Sequence, residues 1–99
     1  MLFAIISEDV DKSLPLRQQA RPQHLARLEQ LKTDGHLVLA GPHPAAPVST
    51  PGPEGFTGSL IVAQFASLQA AQTWADADPY SAAGVYAKVT VKPFIQVLP

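Results

Sequence analysis

Residues 59–78 read SLIVAQFASLQAAQTWADAD. The first seven, SLIVAQF, are apolar and rich in β-branched and aromatic side chains, which predicts a strand over 59–65. Ser67 then stands where an N-cap belongs, and LQAAQTWADA predicts a helix over 68–77. Pro79 pushes Asp78 away from helical angles and ends it. A strand feeding a helix this directly is half of a β-α-β unit, so the flanks decide the fold.

Upstream, LFAIIS at 2–7 predicts a first strand, stopped by Glu8, Asp9 and Asp11. Ser13 before Leu14-Pro15 resembles an N-cap with proline in the first turn, leading a few helical residues up to Ala20. Pro22 lacks an N–H and is comfortable at a helix start, so the main helix is predicted over 22–34, stopping at Gly35. HLVLA at 36–40 predicts a second strand, closed by Gly41-Pro42. From Gly41 to Gly58 half the positions are glycine or proline, which predicts a loop near 15 residues long, on the surface or over a site. Downstream, 85–91 alternates as a fourth strand, Pro93 interrupts it, and 94–98 is at most a short edge segment. The order β-α-β-β-α-β is that of the ferredoxin-like split βαβ fold, an α+β four-stranded antiparallel sheet with both helices on one face.

Length and composition agree with this. Ninety-nine residues make a single domain, 1–99. A chain of this size buries roughly two thirds of its unfolded surface, enough for a core without metal or disulfide. Hydrophobic residues at 46% and charged residues at 15% exclude a disordered chain. A net charge of −1 argues against a nucleic-acid surface, and zero cysteines exclude a thiol nucleophile or thiolate metal site. No stretch reaches the roughly 20 apolar residues of a membrane span, and the start of the chain lacks a signal peptide's features. The expected address is the cytoplasm.

The strands are apolar on both parities: Leu2, Ala4 and Ile6 against Phe3 and Ile5; Leu37 and Leu39 against Val38 and Ala40; Ile61 and Ala63 against Leu60 and Val62. A sheet with helices on one face should be polar on the other. A face this apolar needs a cover, either the long loop folded beneath it or, at less cost, a second copy packed sheet against sheet with two-fold symmetry. The expectation is a homodimer of the dimeric α+β barrel type.

His24 is the most informative single residue. Leu25, Leu28 and Leu31 define the buried stripe of the predicted helix, and His24 lies inside it, with Arg27 and Gln30 on the wet side. A buried imidazole needs partners for its nitrogens. In the first turn, the positive end of the helix dipole favours a neutral ring, fit to act as a general base. Asp78 is the natural partner. The split βαβ topology lets the start of the first helix approach the end of the second, and an aspartate there needs a donor. Asp78 could instead only form a turn with Pro79-Tyr80, and His24 could be a core histidine satisfied by a carbonyl. Asp76 reads as solvated and Trp74 as core. Arg17 and Arg21 flank the helix start and could hold a small anionic ligand; Arg17 reads more readily as a solvated surface residue than Arg21 does. Tyr80 lines the site or packs. No serine lies in a nucleophile elbow, His24, His36 and His43 lack metal-ligand spacing, and the glycines form no phosphate loop. Neither metal nor organic cofactor is expected.

Taken together, RPQHLARLEQL at 21–31, LAGP at 39–42, GFTGS at 55–59, WADADPYSAAGVY at 74–86 and VKPF at 91–94 resemble the YCII-related (YciI-like) family of small bacterial proteins. The resemblance covers essentially the whole chain. It implies a ferredoxin-like fold, a dimer, and an active site centred on a histidine and an aspartate, which map to His24 in RPQHL and Asp78 in DPY. Relatives include an enzyme that removes chloride from a chlorinated hydroxyquinone, and the wider superfamily includes muconolactone isomerases. The implied chemistry is acid–base work on a small polar or aromatic-derived substrate. Three readings follow: an enzyme using His24 and Asp78, with Arg21 and Tyr80 on the substrate; a non-catalytic metabolite-binding or accessory module; and a buried polar pair that only fixes helix register.

Overall fold

A computed structural model describes all residues, 1–99. Strands Leu2–Asp9 (β1), Leu37–Pro44 (β2), Phe56–Gln64 (β3) and Tyr86–Phe94 (β4) form one antiparallel sheet in the order β2-β3-β1-β4. Helix Leu14–Thr33 (α1) connects β1 to β2, and helices Leu68–Asp76 (α2) and Pro79–Ala82 (α3) connect β3 to β4. Each crossover skips one central strand, which is the expected split βαβ topology, and the helices lie on one face.

The odd residues of β1 and β3 turn to the helices. Phe3 stands opposite Ala63 and Ile5 opposite Ile61, and with Phe65, Leu31, Ala71 and Ala75 they form the main core. Alanines 71 and 75 are what let α2 sit close on the sheet. Ser67 caps α2 as expected, its hydroxyl accepting the Ala70 N–H at 3.0 Å. Gly35 also stands where expected, at φ +77 after α1, with its N–H on the Lys32 carbonyl and that of His36 on the Leu31 carbonyl.

Four expectations need correction. The first helix is continuous from Leu14, with Pro22 inside it. The N–H that Pro22 lacks would have served the Gln18 carbonyl. Both residues are on the exposed face, where water reaches that carbonyl, while Arg17, Ala20, His24 and Leu31 hold the other face in place. The second and third strands are longer than predicted, so the loop shrinks to 45–55. Pro42 and Pro44 sit in β2 and Pro93 in β4, and both are edge strands, where a missing donor costs no ladder bond. A one-turn α3 follows Asp78 where only a turn was expected. The segment 95–99 forms no strand, and Ile95, Val97 and Leu98 are exposed.

The other sheet face carries Leu2, Ala4, Ile6, Leu60 and Val62 on its two central strands. Leu39, which pairs with Val62, is 47% exposed. No helix covers this face.

Candidate active site

Arg17, Arg21 and His24 project from one face of α1 at i, i+4 and i+7. They line a cleft of about 480 Å³ between α1, the β2–β3 edge and α3, together with Leu28, Phe56, Ser59, Ile61 and Tyr80. No aspartate or glutamate lines it. Because α1 begins at Leu14, His24 lies mid-helix. The helix-dipole argument for a neutral ring therefore does not apply, and its immediate partners decide its state.

Those partners are the expected ones. His24 Nδ1 is 2.9 Å from Asp78 Oδ1, with both side chains buried. The same oxygen accepts the Tyr80 N–H at 2.9 Å, so Asp78 is the N-cap of α3 and the partner of His24 at once. The two alternatives raised for Asp78 are thus both true. Asp78 has extended angles (φ −61, ψ 129) and belongs to the start of α3, so the positive end of that turn offsets part of its charge. With Nδ1–H donating to the carboxylate, Nε2 is left as the acceptor. It engages no group of the chain and is not among the fully buried unpaired atoms, so it opens to the cleft.

Tyr80 does more than line the wall. Its ring stacks on His24 with centroids 3.9 Å apart and planes 7° apart, fixing the imidazole plane. Tyr86 meets Tyr80 edge-on at 5.8 Å. Burial pushes the Tyr86 phenol up to about 12, helped by the Asp78 charge and opposed by the Ser59 and Ser7 hydroxyls beside it, neither of which reaches the direct geometry of a hydrogen bond. Burial also raises the Tyr80 phenol.

Arg17 reverses the sequence expectation. It is 5% exposed, whereas Arg21 is exposed. Nε and Nη2 grip Asp9 at 2.7 and 3.0 Å, and Nη2 also donates to the Gly58 carbonyl at 2.9 Å and to Ser59 Oγ at 2.8 Å. Ser13 occupies the N-cap position but donates its hydroxyl to Asp9 at 2.6 Å rather than capping α1. Burial alone would lower the guanidinium; the Asp9 hydrogen bonds and charge outweigh it and hold it above its ordinary value. The guanidinium lies 5.0 Å from the Phe56 ring centre and 5.1 Å from that of Tyr80. Sequence reasoning missed Asp9 and Ser59 entirely. The one available signal was that Arg17 stands two turns before His24 on the same stripe.

Two further placements on α1 differ from expectation. Leu25 is 41% exposed and lines the cleft instead of the core. Arg27 is half-buried, lies 4.2 Å over the Trp74 ring and donates to the Trp74 carbonyl at 2.8 Å. Burial lowers this guanidinium. Trp74 is accordingly only half-buried, held between Arg27 and Phe65.

Comparison with known proteins places this site in context. Protein YciI of Escherichia coli O6:H1 is 56% identical over 97 residues, covering 98% of this chain and 99% of its own. An uncharacterised protein of Haemophilus influenzae is 50% identical over the same coverage. Among solved structures, 5-chloro-2-hydroxyhydroquinone dehydrochlorinase of Burkholderia phenoliruptrix, in complex with 2,5-dihydroxybenzoquinone, superposes with a TM-score of 0.85 at 30% identity. That match covers 97% of this chain and 95% of the other. The YCII-related domain matches residues 1–95, and the chain belongs to the YCII-related family.

Proposed function

We propose that the cleft is the active site of a small-molecule enzyme in which His24 is the acid–base residue. The carrying observation is the arrangement of its imidazole: Nδ1 is held by a buried carboxylate, the ring plane is held by Tyr80, and Nε2 opens into a cleft without acidic residues. Nε2 takes a proton from a hydroxyl or activated carbon of the substrate, and the Asp78 carboxylate stabilises the imidazolium that forms. Returning the proton at another atom completes an isomerisation. Expelling chloride from the resulting anion instead completes a dehydrochlorination, with HCl as the balance. The structural neighbour's activity supports the second class. Arg21, exposed at the rim, draws small anions in, and the Tyr80 wall borders the substrate. The chemistry calls on no metal or organic cofactor.

A second copy over the open sheet face belongs to the same proposal. Leu2, Ile6, Leu60 and Leu39 form an apolar surface there that no part of this chain covers with a helix. Sedimentation at micromolar concentration tests it, and a monomer refutes it.

Turnover is tested on chlorinated hydroxyhydroquinones, lactones and enol acids, with His24→Ala as control. Product that forms with wild type and vanishes with His24→Ala supports the reading. The alternative, a non-catalytic binding or accessory module, is favoured by the second duty of Asp78 as the cap of α3. It predicts ligand affinity without any product.

A further inference from the structure

The last turn of α2 leaves one carbonyl without a backbone donor, just before the chain departs toward Asp78. The Asp78 N–H closes on the Ala75 carbonyl at 3.1 Å, and the Ala77 N–H on that of Thr73 at 3.2 Å. The Trp74 carbonyl between them receives neither. Such an orphan acceptor at a helix end needs a partner from elsewhere. Arg27 supplies it from α1, donating Nη2 at 2.8 Å. The same guanidinium lies 4.2 Å from the Trp74 ring centre, so one residue of α2 holds Arg27 by both its ring and its carbonyl. A cation at the negative end of α2 is also well placed for the helix dipole.

Arg27 follows His24 by three residues on α1, and Trp74 precedes Asp78 by four. Both spacings are about one helical turn. The two segments are therefore joined by two rungs, His24 to Asp78 at 2.9 Å and Arg27 to Trp74 at 2.8 Å. Packing alone does not call for an arginine in the second rung. Its Nη1 is fully buried and donates to nothing, which an apolar side chain over the Trp74 ring would avoid. Burial lowers this guanidinium, and the Asp78 charge opposes that effect. What the arginine adds is the bond to the Trp74 carbonyl, made by a cation that faces Asp78.

We propose that Arg27 is a positioning residue for the acid–base pair: by capping the end of α2 from α1, it fixes where Asp78 departs and keeps the carboxylate on His24 Nδ1. This rests on the reading of His24 above and adds what holds the partner of His24 in place. Arg27 does not line the cleft, so it acts on the pair and not on the ligand.

Proton NMR of the whole protein tests this without any ligand. The His24 Nδ1–H resonates far downfield while a carboxylate holds it, and its exchange with water reports the opening of that bond. Arg27→Met keeps the length and apolar stem of the side chain and removes its donors. Exchange should then speed by at least about tenfold, the order of one hydrogen bond from a charged donor. Arg27→Lys still reaches the Trp74 carbonyl with a cation and should stay near wild type. Ser67→Ala removes the cap at the other end of α2, loosening the helix without touching Arg27, and should also leave the exchange near wild type. Should Arg27→Met not fold, Arg27→Gln, too short to bridge to α2 in the same way, answers in its place. Exchange as slow as wild type in the Met or Gln variant overturns the proposal. So does Arg27→Lys exchanging as fast as Arg27→Met, or Ser67→Ala speeding exchange as much. Turnover separates this from the catalytic reading. A signal that depends on Arg27 without any product leaves the positioning role standing and removes the enzyme. Product lost with His24→Ala, beside a signal indifferent to Arg27, does the reverse.

Discussion

Replacing Asp78 in two ways separates what holds the fold from what drives the chemistry. Asp78→Ala removes the cap of α3, worth about 1 kcal/mol, and orphans the buried Nδ1–H of His24, worth about 1–3 kcal/mol more. The expected loss is therefore about 2–4 kcal/mol. Asp78→Asn is different. Oδ1 accepts both hydrogen bonds, from Tyr80 N–H and His24 Nδ1–H, while Oδ2 engages no donor of the chain. An amide oxygen can take over both, so the loss should stay near 1 kcal/mol or below, the order of a single neutral hydrogen bond. Urea unfolding of all three proteins at one concentration measures this, because a chain that associates has concentration-dependent stability. Turnover of the same variants should show the opposite pattern for Asp78→Asn, near-normal stability with activity down at least about tenfold, because a neutral amide cannot stabilise the imidazolium. Should Asp78→Asn fall by about 3–5 kcal/mol, as when one partner of a buried ion pair is removed, His24 is already cationic at rest. Nε2 then cannot be a base, and the proposed direction of proton transfer is refuted.

Two further expectations rest on single atoms. The Tyr86 hydroxyl is buried beside Ser59 and Ser7 without a bond of direct geometry, so Tyr86→Phe should change stability by no more than about 1 kcal/mol at pH 7. Its folded value near 12 lies above the ordinary 10, so the protonated phenol favours the fold fully below pH 10. Wild type should then lose up to about 2 kcal/mol as pH rises from 10 to 12, a loss Tyr86→Phe escapes. Parallel alkaline slopes in a pH series of urea melts refute it. At Gly58 any Cβ would overlap the Ser7 carbonyl oxygen of the adjoining strand. Gly58→Ala should cost at least about 2 kcal/mol by overpacking, and it should disturb Arg17, which donates to the Gly58 carbonyl; an unchanged melting temperature contradicts this.

The fold was readable because the pattern that carries it is local. Apolar runs, the Ser67 cap and Gly35 act within a few residues, and the strand order follows from the alternation of elements. The errors have a common physical origin. Pro22 reads as a helix start because a missing N–H inside a helix should cost a bond, but the carbonyl affected faces water. Pro42 and Pro93 read as strand breakers because the sequence does not show which strands are edges. Residue type alone places Arg17 in solvent. Its burial depends on Asp9 at the end of β1 and on Gly58 and Ser59 in β3, partners up to 42 residues away. The pairing of His24 with Asp78 crosses 54 residues, yet it was legible, because the topology itself brings α1 to the end of α2 and the family pattern marks the same two positions.

The distribution of buried polarity gives the strongest argument that this cleft is for something. Six polar or charged residues are buried: Ser7, Ser13, Arg17, His24, Ser59 and Asp78. None belongs to the main core, which is apolar throughout from Phe3 to Ala75. Ser7 and Ser59 face each other across β1 and β3, Ser59 and Ser13 join the Arg17–Asp9 network, and His24 and Asp78 adjoin it through Tyr80. Each buried polar group gives up hydration that its hydrogen bonds only partly return, so apolar residues would hold the same volume at lower free energy. A register-fixing role needs one such pair. It does not account for a histidine fixed at one nitrogen and in its ring plane with the other nitrogen free. That nitrogen belongs to a residue lining the cleft, and an acid–base role toward a ligand there accounts for it.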